Sequence, residues 1–478
     1  MSATTRQHPP LSLETAVLVH IGIFFTFATW AFGGNADWVK TVLAWWSLLG
    51  VLMIPVAIVA GRSRVNLRRL AWLVPVALFN ALVLVSVRTP GLQVLQAGTE
   101  SFYAVNNISA WKPSAAVPAE SLRALWLFDG IYLSCFNLAW IVRRRRAFRN
   151  LLLFVAGNAL VLAIFGTVQK LVRADGLFFG LVHSPQVSFF SSFIYHNHWG
   201  AFTVLMVSTC LGLVWHFGLR QEGQRNLFHT PAFGGLVAVL FLAATAPLST
   251  SRSCTVLVLV LLGGAFLQYL AHLARQRRRY KESVAAPLAG ALVAGAIALA
   301  GIYFLAEKTI AARVAKTEQQ ITDIRAQNGF SANARLILYH DTWRMARDRL
   351  WFGWGMDSYP PVFQFYNTQT PGPIDHLPVF YHDAHNDWLQ SVAEHGLLGT
   401  ALLVLLGAVP LAQLFRRRPR SPLPGYLLAG CGLILLYGCV EFPFGNTAVV
   451  LTWWMCFFIA VQYSRLQHGT EADDLKSE

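Results

Sequence analysis

The sequence predicts an all-α, polytopic membrane protein, and three observations carry that prediction. Apolar residues fall in blocks of about 18–24, each long enough to cross a hydrocarbon core of about 30 Å. Of the 478 residues, 55% are hydrophobic and only 13% charged, whereas a soluble domain is nearer a quarter charged. The basic residues also collect in alternate loops, as the positive-inside rule requires.

About twelve spans are expected: Ala16–Gly33, Val39–Ala60, Leu70–Val87, Leu122–Val142, Leu151–Leu171, Trp199–Leu219, Phe233–Leu248, Cys254–Ala274, Ala285–Leu305, Leu397–Phe415, Leu427–Val440 and Ala448–Val461. Basic clusters at Arg62–Arg69, Arg143–Arg149, Arg220–Arg225, Arg275–Lys281 and Arg416–Arg420 each follow an even-numbered span. That alternation places both termini in the cytoplasm. The net charge of +15 is therefore mostly topology, with a lipid bilayer as neighbour. No basic face with interleaved aromatics suggests nucleic acid. The six cysteines lie in or beside apolar runs with no CxxC pair, which suits small buried hydrophobes. Met1–Glu14 reads as a short uncleaved tail.

The expected organisation is a bundle of about nine spans over 1–304 with outer loops at 88–121 and 170–198. An extracytoplasmic cap follows over 305–395, then three helices over 396–462 and an acidic cytoplasmic tail over 463–478. The loop 170–198 is weakly amphipathic and reads as partly re-entrant. Within the cap, Lys308–Gln327 and Ala332–Asp348 are expected as helices, followed by the Gly-rich LWFGWGMDSYPP and a loop, Thr368–Phe380.

The chemistry-bearing residues gather on the side that the charge rule assigns as outer. His382–Thr400, HDAHNDWLQSVAEHGLLGT, is the densest polar stretch and runs into an apolar span. His385 suits general-base work on a hydroxyl, with a nearby carboxylate fixing its tautomer. Asp387 and Glu394 are both candidates for that carboxylate. Alternatively, Asn386 and Asp387 cap the next helix, or His382, Asp383 and His385 bind a metal, although the spacing lacks a pattern such as HExxH. Arg252, in PLSTSRSC, is either an interfacial arginine reaching the headgroups or a cation for an anionic lipid group. Arg335 pairs with an acid such as Asp341 or contacts phosphate, and Arg344, Arg347 and Arg349 are its rivals. Tyr195, Asn197 and His198 in YHNHW begin a span at the outer interface. Glu441 in EFPFGN is either a satisfied interfacial acid or a partner for a cation.

Several of these stretches resemble the O-antigen ligases and Wzy-type polysaccharide polymerases. HNDWLQSVAEHGLLG is the most specific, and ARLILYHDTWRMARDRLWFGWGMDSY resembles the family's arginine-led helix and Gly-rich turn. STSRS, YHNHWGAF, WKPSAAVPAESLRAL and EFPFGN are similar to lesser landmarks. The resemblance implies a GT-C-like bundle in the bacterial inner membrane with its site on the periplasmic side. It implies an inverting, metal-independent and cofactor-free glycosyltransferase that uses an undecaprenyl-diphosphate-linked oligosaccharide. It also implies that His385 activates the acceptor hydroxyl while Arg252 and Arg335 engage the diphosphate. The acceptor would be a glycan or lipid A-core, with polysaccharide chain-length or export proteins as further partners. Asn386, Asp387, Glu394 and Glu441 would then be orienting residues, and Tyr195, Asn197, His198, Arg344 and His382 would contact donor or acceptor. Three positions depart from the family pattern: Tyr195 stands for an asparagine, Glu441 for an aspartate and Trp388 for a tyrosine. Competing readings are a protein O-oligosaccharyltransferase, a lipid-linked sugar transporter and an export-assembly subunit. A transporter would carry polar residues deep in several spans, whereas here they sit at outer ends and in one loop.

Overall fold

The computed structural model describes residues 12–60, 67–98, 100–186, 188–220, 230–280, 330–369, 380–415 and 421–466, with a few isolated positions between 285 and 296. Most of the expected span Ala285–Leu305, the expected helix Lys308–Gln327, most of Thr368–Phe380 and nearly all of the tail lie outside the described residues. The helices are α1 Leu13–Trp30, α2 Asp37–Ala60, α3 Val74–Ser86, α4 Pro118–Trp140, α5 Arg145–Leu171, α6 His196–Arg220, α7 Pro231–Leu248 and α8 Arg252–Tyr280. After the undescribed stretch come α9 Phe330–Asp348, α10 Tyr359–Phe363, α11 Asp387–Phe415, α12 Pro422–Tyr437 and α13 Thr447–Leu466. Among the described residues, nine helical stretches are long and apolar enough to span a membrane, and α12 is a shorter apolar helix. α4, which carries Asp129 at its middle, falls outside that nine.

α13 is the central post. Its sequence TAVVLTWWMCFFIAVQYS is apolar on every side, which in a bundle means burial all round. Of its span 94% is buried, and of α6's 83%. α1, α4, α5, α6 and α12 pack around α13, while α3 and α11 pair on one flank.

The expectation of helices alone is corrected in one place. Leu92–Ala97 and Glu100–Val105 form an antiparallel hairpin within the loop 88–121. Gly98 turns it at φ 66°, a conformation that glycine adopts at no steric cost. The segment after the hairpin docks on the Gly-rich turn, where Ala116 N–H donates to Trp354 O at 2.6 Å. Arg349, only 4% exposed, donates to Ser114 Oγ and Ile108 O and stacks 4.3 Å over the Trp354 ring. It therefore acts as a clasp between loop and cap. Arg349→Leu would leave the buried Ser114 Oγ without this donor and remove the stacking on Trp354, so a loss of about 2–3 kcal/mol is expected. Thermal unfolding in detergent and faster proteolysis of the hairpin loop would register it.

The loop 170–198 dips into the bundle, as its amphipathicity suggests. Phe190 and Phe193 are fully buried, while Ser191 and Ser192 donate to Leu162 O and Thr29 O.

α11 is broken at Gly396 (φ 65°, ψ −177°). The break leaves backbone groups without helical partners, and the Gly-rich turn supplies them. Trp354 N–H donates to Ala393 O and Gly355 N–H to Glu394 O, while Leu397 N–H donates to Leu350 O. This joint fixes the cap segment Asp387–His395 relative to the membrane-spanning remainder of the helix.

Candidate active site

Five elements meet at one end of the bundle: the start of α6, the start of α8, the first half of α9, the loop before α11 and the turn between α12 and α13. Glu441, on that last turn, is 3% exposed and sits at the centre. Its Oε1 accepts from Arg335 Nη2 at 2.7 Å and from Asn197 Nδ2 at 3.0 Å. Its Oε2 lies 3.2 Å from His385 Nδ1 and accepts from the Tyr195 hydroxyl at 3.4 Å. Asn197 also donates to the Tyr195 oxygen at 2.8 Å.

A carboxylate only accepts, so this contact puts the proton of a neutral His385 on Nδ1 and leaves Nε2 with its lone pair. Among the described residues, Nε2 has no hydrogen-bond partner. Burial by itself raises Glu441's pKa, but the His385 bond and charge and the Arg335 contact outweigh it, so the group ends below the usual carboxylate range. Burial and the Glu441 charge push the Tyr195 phenol upward, so it remains a donor.

His385 itself has φ 50°, a left-handed conformation uncommon outside glycine. Tyr339 holds it by donating to its carbonyl at 2.9 Å. The Phe442 ring lies edge-on to the imidazole at 4.8 Å, stacks on Tyr195 and meets His198 edge-on. His198 also bonds Phe442 O through Nε2 at 3.3 Å.

Neither Asp387 nor Glu394 touches the His385 ring through a hydrogen bond. Asp387 Oδ2 accepts from Phe444 N–H, and its own N–H donates to Gly438 O. Asn386 caps α11 by accepting from Leu389 N–H and donates to Cys439 O. These bonds staple the start of α11 to the turn bearing Glu441, which sets the His385–Glu441 distance. Glu394 accepts from Tyr359 N–H and Gln390. Arg335 pairs with Glu441 rather than Asp341, which pairs with Arg344 at 3.6 Å and accepts from Thr368. His382 is exposed, with its ring against Phe380. Arg252 is exposed at the first residue of α8. Ser251 and Cys254 of the same turn pack against Gly200, just past the Asn197 end of α6. Among the described residues, no three His, Cys, Asp or Glu side chains converge to hold a metal ion.

A cavity of about 2040 Å³ opens on the His385 side of this cluster. Lys40, Asp357 and Asp383 line it, and sequence reasoning gave none of them a part in acceptor or donor binding. Burial raises Asp383, and it raises Asp357 to about 6. A signal for Lys40 did exist, since it is a cation at the end of a span that the basic clusters assign to the other side.

Fold and site together define a polytopic membrane protein with a histidine–glutamate–arginine cluster at one end of its bundle. Residues 237–404 match the family model described as O-antigen ligase. The matched stretch thus reads as an O-antigen ligase domain within a chain of several membrane-long helices. Arg252, Arg335 and His385 fall inside the matched stretch, while Asn197 and Glu441 fall outside it. A comparison with curated proteins found no match.

Proposed function

We propose that the protein is an inverting glycosyltransferase that moves a glycan from an undecaprenyl-diphosphate donor to an acceptor hydroxyl, on the outer face of the bacterial inner membrane. The supporting observation is that one buried carboxylate, Glu441, joins the imidazole and a guanidinium in a single hydrogen-bonded unit. Arg335 spends one nitrogen on Glu441 and, being half exposed, keeps its remaining donors for the diphosphate. Arg252 adds a second guanidinium from α8. Paired arginines stabilise the leaving group most as the bond to it breaks, when its negative charge grows. His385 Nε2 takes the acceptor's proton as the acceptor oxygen attacks the anomeric carbon from the face opposite the diphosphate. The carbon–oxygen bond to the diphosphate breaks, and undecaprenyl diphosphate leaves with the electron pair. In this reading guanidinium groups meet the leaving-group charge and no metal takes part.

The test is transfer from a defined lipid-diphosphate oligosaccharide in reconstituted membranes, with product size followed against time. His385→Ala should lower kcat by about 10²–10⁴-fold, the usual range for a general base, while donor affinity stays within a few-fold. Undiminished transfer by that variant would overturn the assignment of the base. Movement of the donor across vesicles with no saccharide transfer would overturn the enzyme reading.

A further inference from the structure

The end of the bundle away from His385 carries another polar cluster, built on Arg69. The 3₁₀ stretch Leu67–Leu73 leads into α3, and in such a helix side chains three apart eclipse. Arg69 and Trp72 therefore share one edge, which turns toward the ends of α4 and α13. Arg69 Nη1 donates to Ala139 O in the last turn of α4 and to Gln462 Oε1 of α13 at 3.0 Å. Gln462 in turn donates to Val142 O at 2.9 Å. Arg465, one turn further along α13, holds its guanidinium 5.4 Å from the centre of the Trp72 ring. Arg143 follows Val142 in the chain, and the Arg143 and Arg465 charges both act on Arg69.

Two donors in this cluster lack acceptors among the described residues. Trp72 is 1% exposed and its indole N–H is unmet, and Arg69 Nε is buried and unmet beside it. Native proteins leave few buried donors in that state, and each implies a missing partner. The charges point the same way. Among the described residues, no carboxylate acts on Arg69. The carbonyls at the end of α4 offset about half a charge, against three guanidiniums. A water molecule would satisfy an N–H and still leave like charges facing one another. An anion answers both demands.

Depth identifies the kind of anion. From Thr447, beside the turn that bears Glu441, to Arg465 the helix rises about 27 Å. That is close to a hydrocarbon core of about 30 Å, so the cluster lies at the headgroup level of the leaflet away from His385. Guanidinium forks suit phosphate oxygens, and basic pockets between membrane helices are where phosphate headgroups dock.

We propose that Arg69, Trp72, Arg143 and Arg465 form a binding site for the phosphate group of an anionic phospholipid, held between the start of α3 and the ends of α4 and α13. The site stands apart from the transfer reading of His385, one membrane thickness away, and its lipid joins three helices that meet there through few other polar contacts.

The full chain, purified in detergent, is titrated with dioleoyl phosphatidylglycerol, with dioleoyl phosphatidylcholine and with inorganic phosphate. Native mass spectrometry and thermal unfolding give the readouts. Phosphatidylglycerol should be retained and should raise Tm beyond what phosphatidylcholine achieves. Arg69→Gln removes the central charge, and Trp72→Phe keeps an aromatic ring while deleting the N–H, so the second decides if the first fails to fold. Each should weaken phosphatidylglycerol binding by about tenfold, the worth of one hydrogen bond to a charged group. Arg146→Gln, at an exposed position in the first turn of α5, removes the same charge from the same end and should change binding by less than about twofold. Equal retention of the two lipids, or equal losses in all three variants, overturns the proposal. Inorganic phosphate that protects as well as the lipid overturns the lipid as the source of the anion. Retention that appears only after residues 467–478 are removed makes the acidic tail the occupant, and overturns the proposal as well.

Discussion

Glu441→Gln is expected to lower glycan transfer by about 10²–10⁴-fold, the usual worth of general acid–base catalysis, because an amide behind a catalytic histidine favours the wrong tautomer. The wild-type carboxylate accepts from Arg335, Asn197 and Tyr195 and faces His385 Nδ1. An amide keeps the shape but turns one acceptor into an NH₂ donor. If that donor faces His385, it pulls the ring to the tautomer with Nε2 protonated, and the proposed base loses its lone pair. If it faces Arg335, two donors meet in a buried site. The charge that holds the guanidinium is lost either way. Activity should drop mainly in kcat, with a smaller fall in donor affinity.

The same variant carries a pH signature. Glu441's pKa is depressed in the folded protein because the His385 and Arg335 contacts outweigh the effect of burial. A depressed carboxylate stabilises the fold above its unfolded value of about 4.3, and that contribution is lost as pH falls through the folded value. The difference in Tm between wild type and Glu441→Gln should therefore hold steady between about pH 6 and 8. It should shrink as the pH drops below the unfolded value. A difference that grows on acidification would contradict the pairing.

The second large effect is expected on folding. Gly396→Ala should abolish recovery of monodisperse protein, a loss of more than about 4 kcal/mol by cavity-free steric conflict and backbone strain together. The φ/ψ pair of 65° and −177° belongs to a region that is essentially glycine's alone. An added Cβ there would also sit against the Trp351 and Phe352 backbone, and one at Gly353 against the Glu394 carbonyl. Neither neighbour can retreat freely, since Trp351 O accepts from Leu398 N–H and Glu394 O from Gly355 N–H across the break. Gly425→Ala, where an added methyl meets nothing within 4 Å, is the control. Size-exclusion profiles and thermal unfolding of the two variants decide the matter.

Most of the bundle was legible because the membrane allows few solutions. Long apolar runs must become helices when no water is present to satisfy the backbone. The hairpin Leu92–Val105 was not legible, because its alternation is weak and its order comes from docking on Trp354 and Arg349. In the site, His385 and the family arginines stood out through local density and resemblance. The link between them did not. Glu441 lies 56 positions from His385 and 106 from Arg335, so only the stapling of α11 to the turn after α12 brings them together. Asp387 and Glu394 were nearer in sequence and bond elsewhere. Arg335 sits opposite Glu441 for the same non-local reason, while Asp341, three residues before Arg344, serves that closer arginine.

The left-handed backbone at His385 has a consequence for how this protein responds to selection. A side chain at φ 50° costs about 1–2 kcal/mol that glycine does not incur. His385→Gly would relieve that strain and at the same time take the imidazole partner from the buried Glu441, so the two effects on stability oppose each other. A library screened for thermostability alone therefore weighs backbone relief against a lost buried contact at this position, and a paired screen for transfer is what reads the imidazole's chemistry.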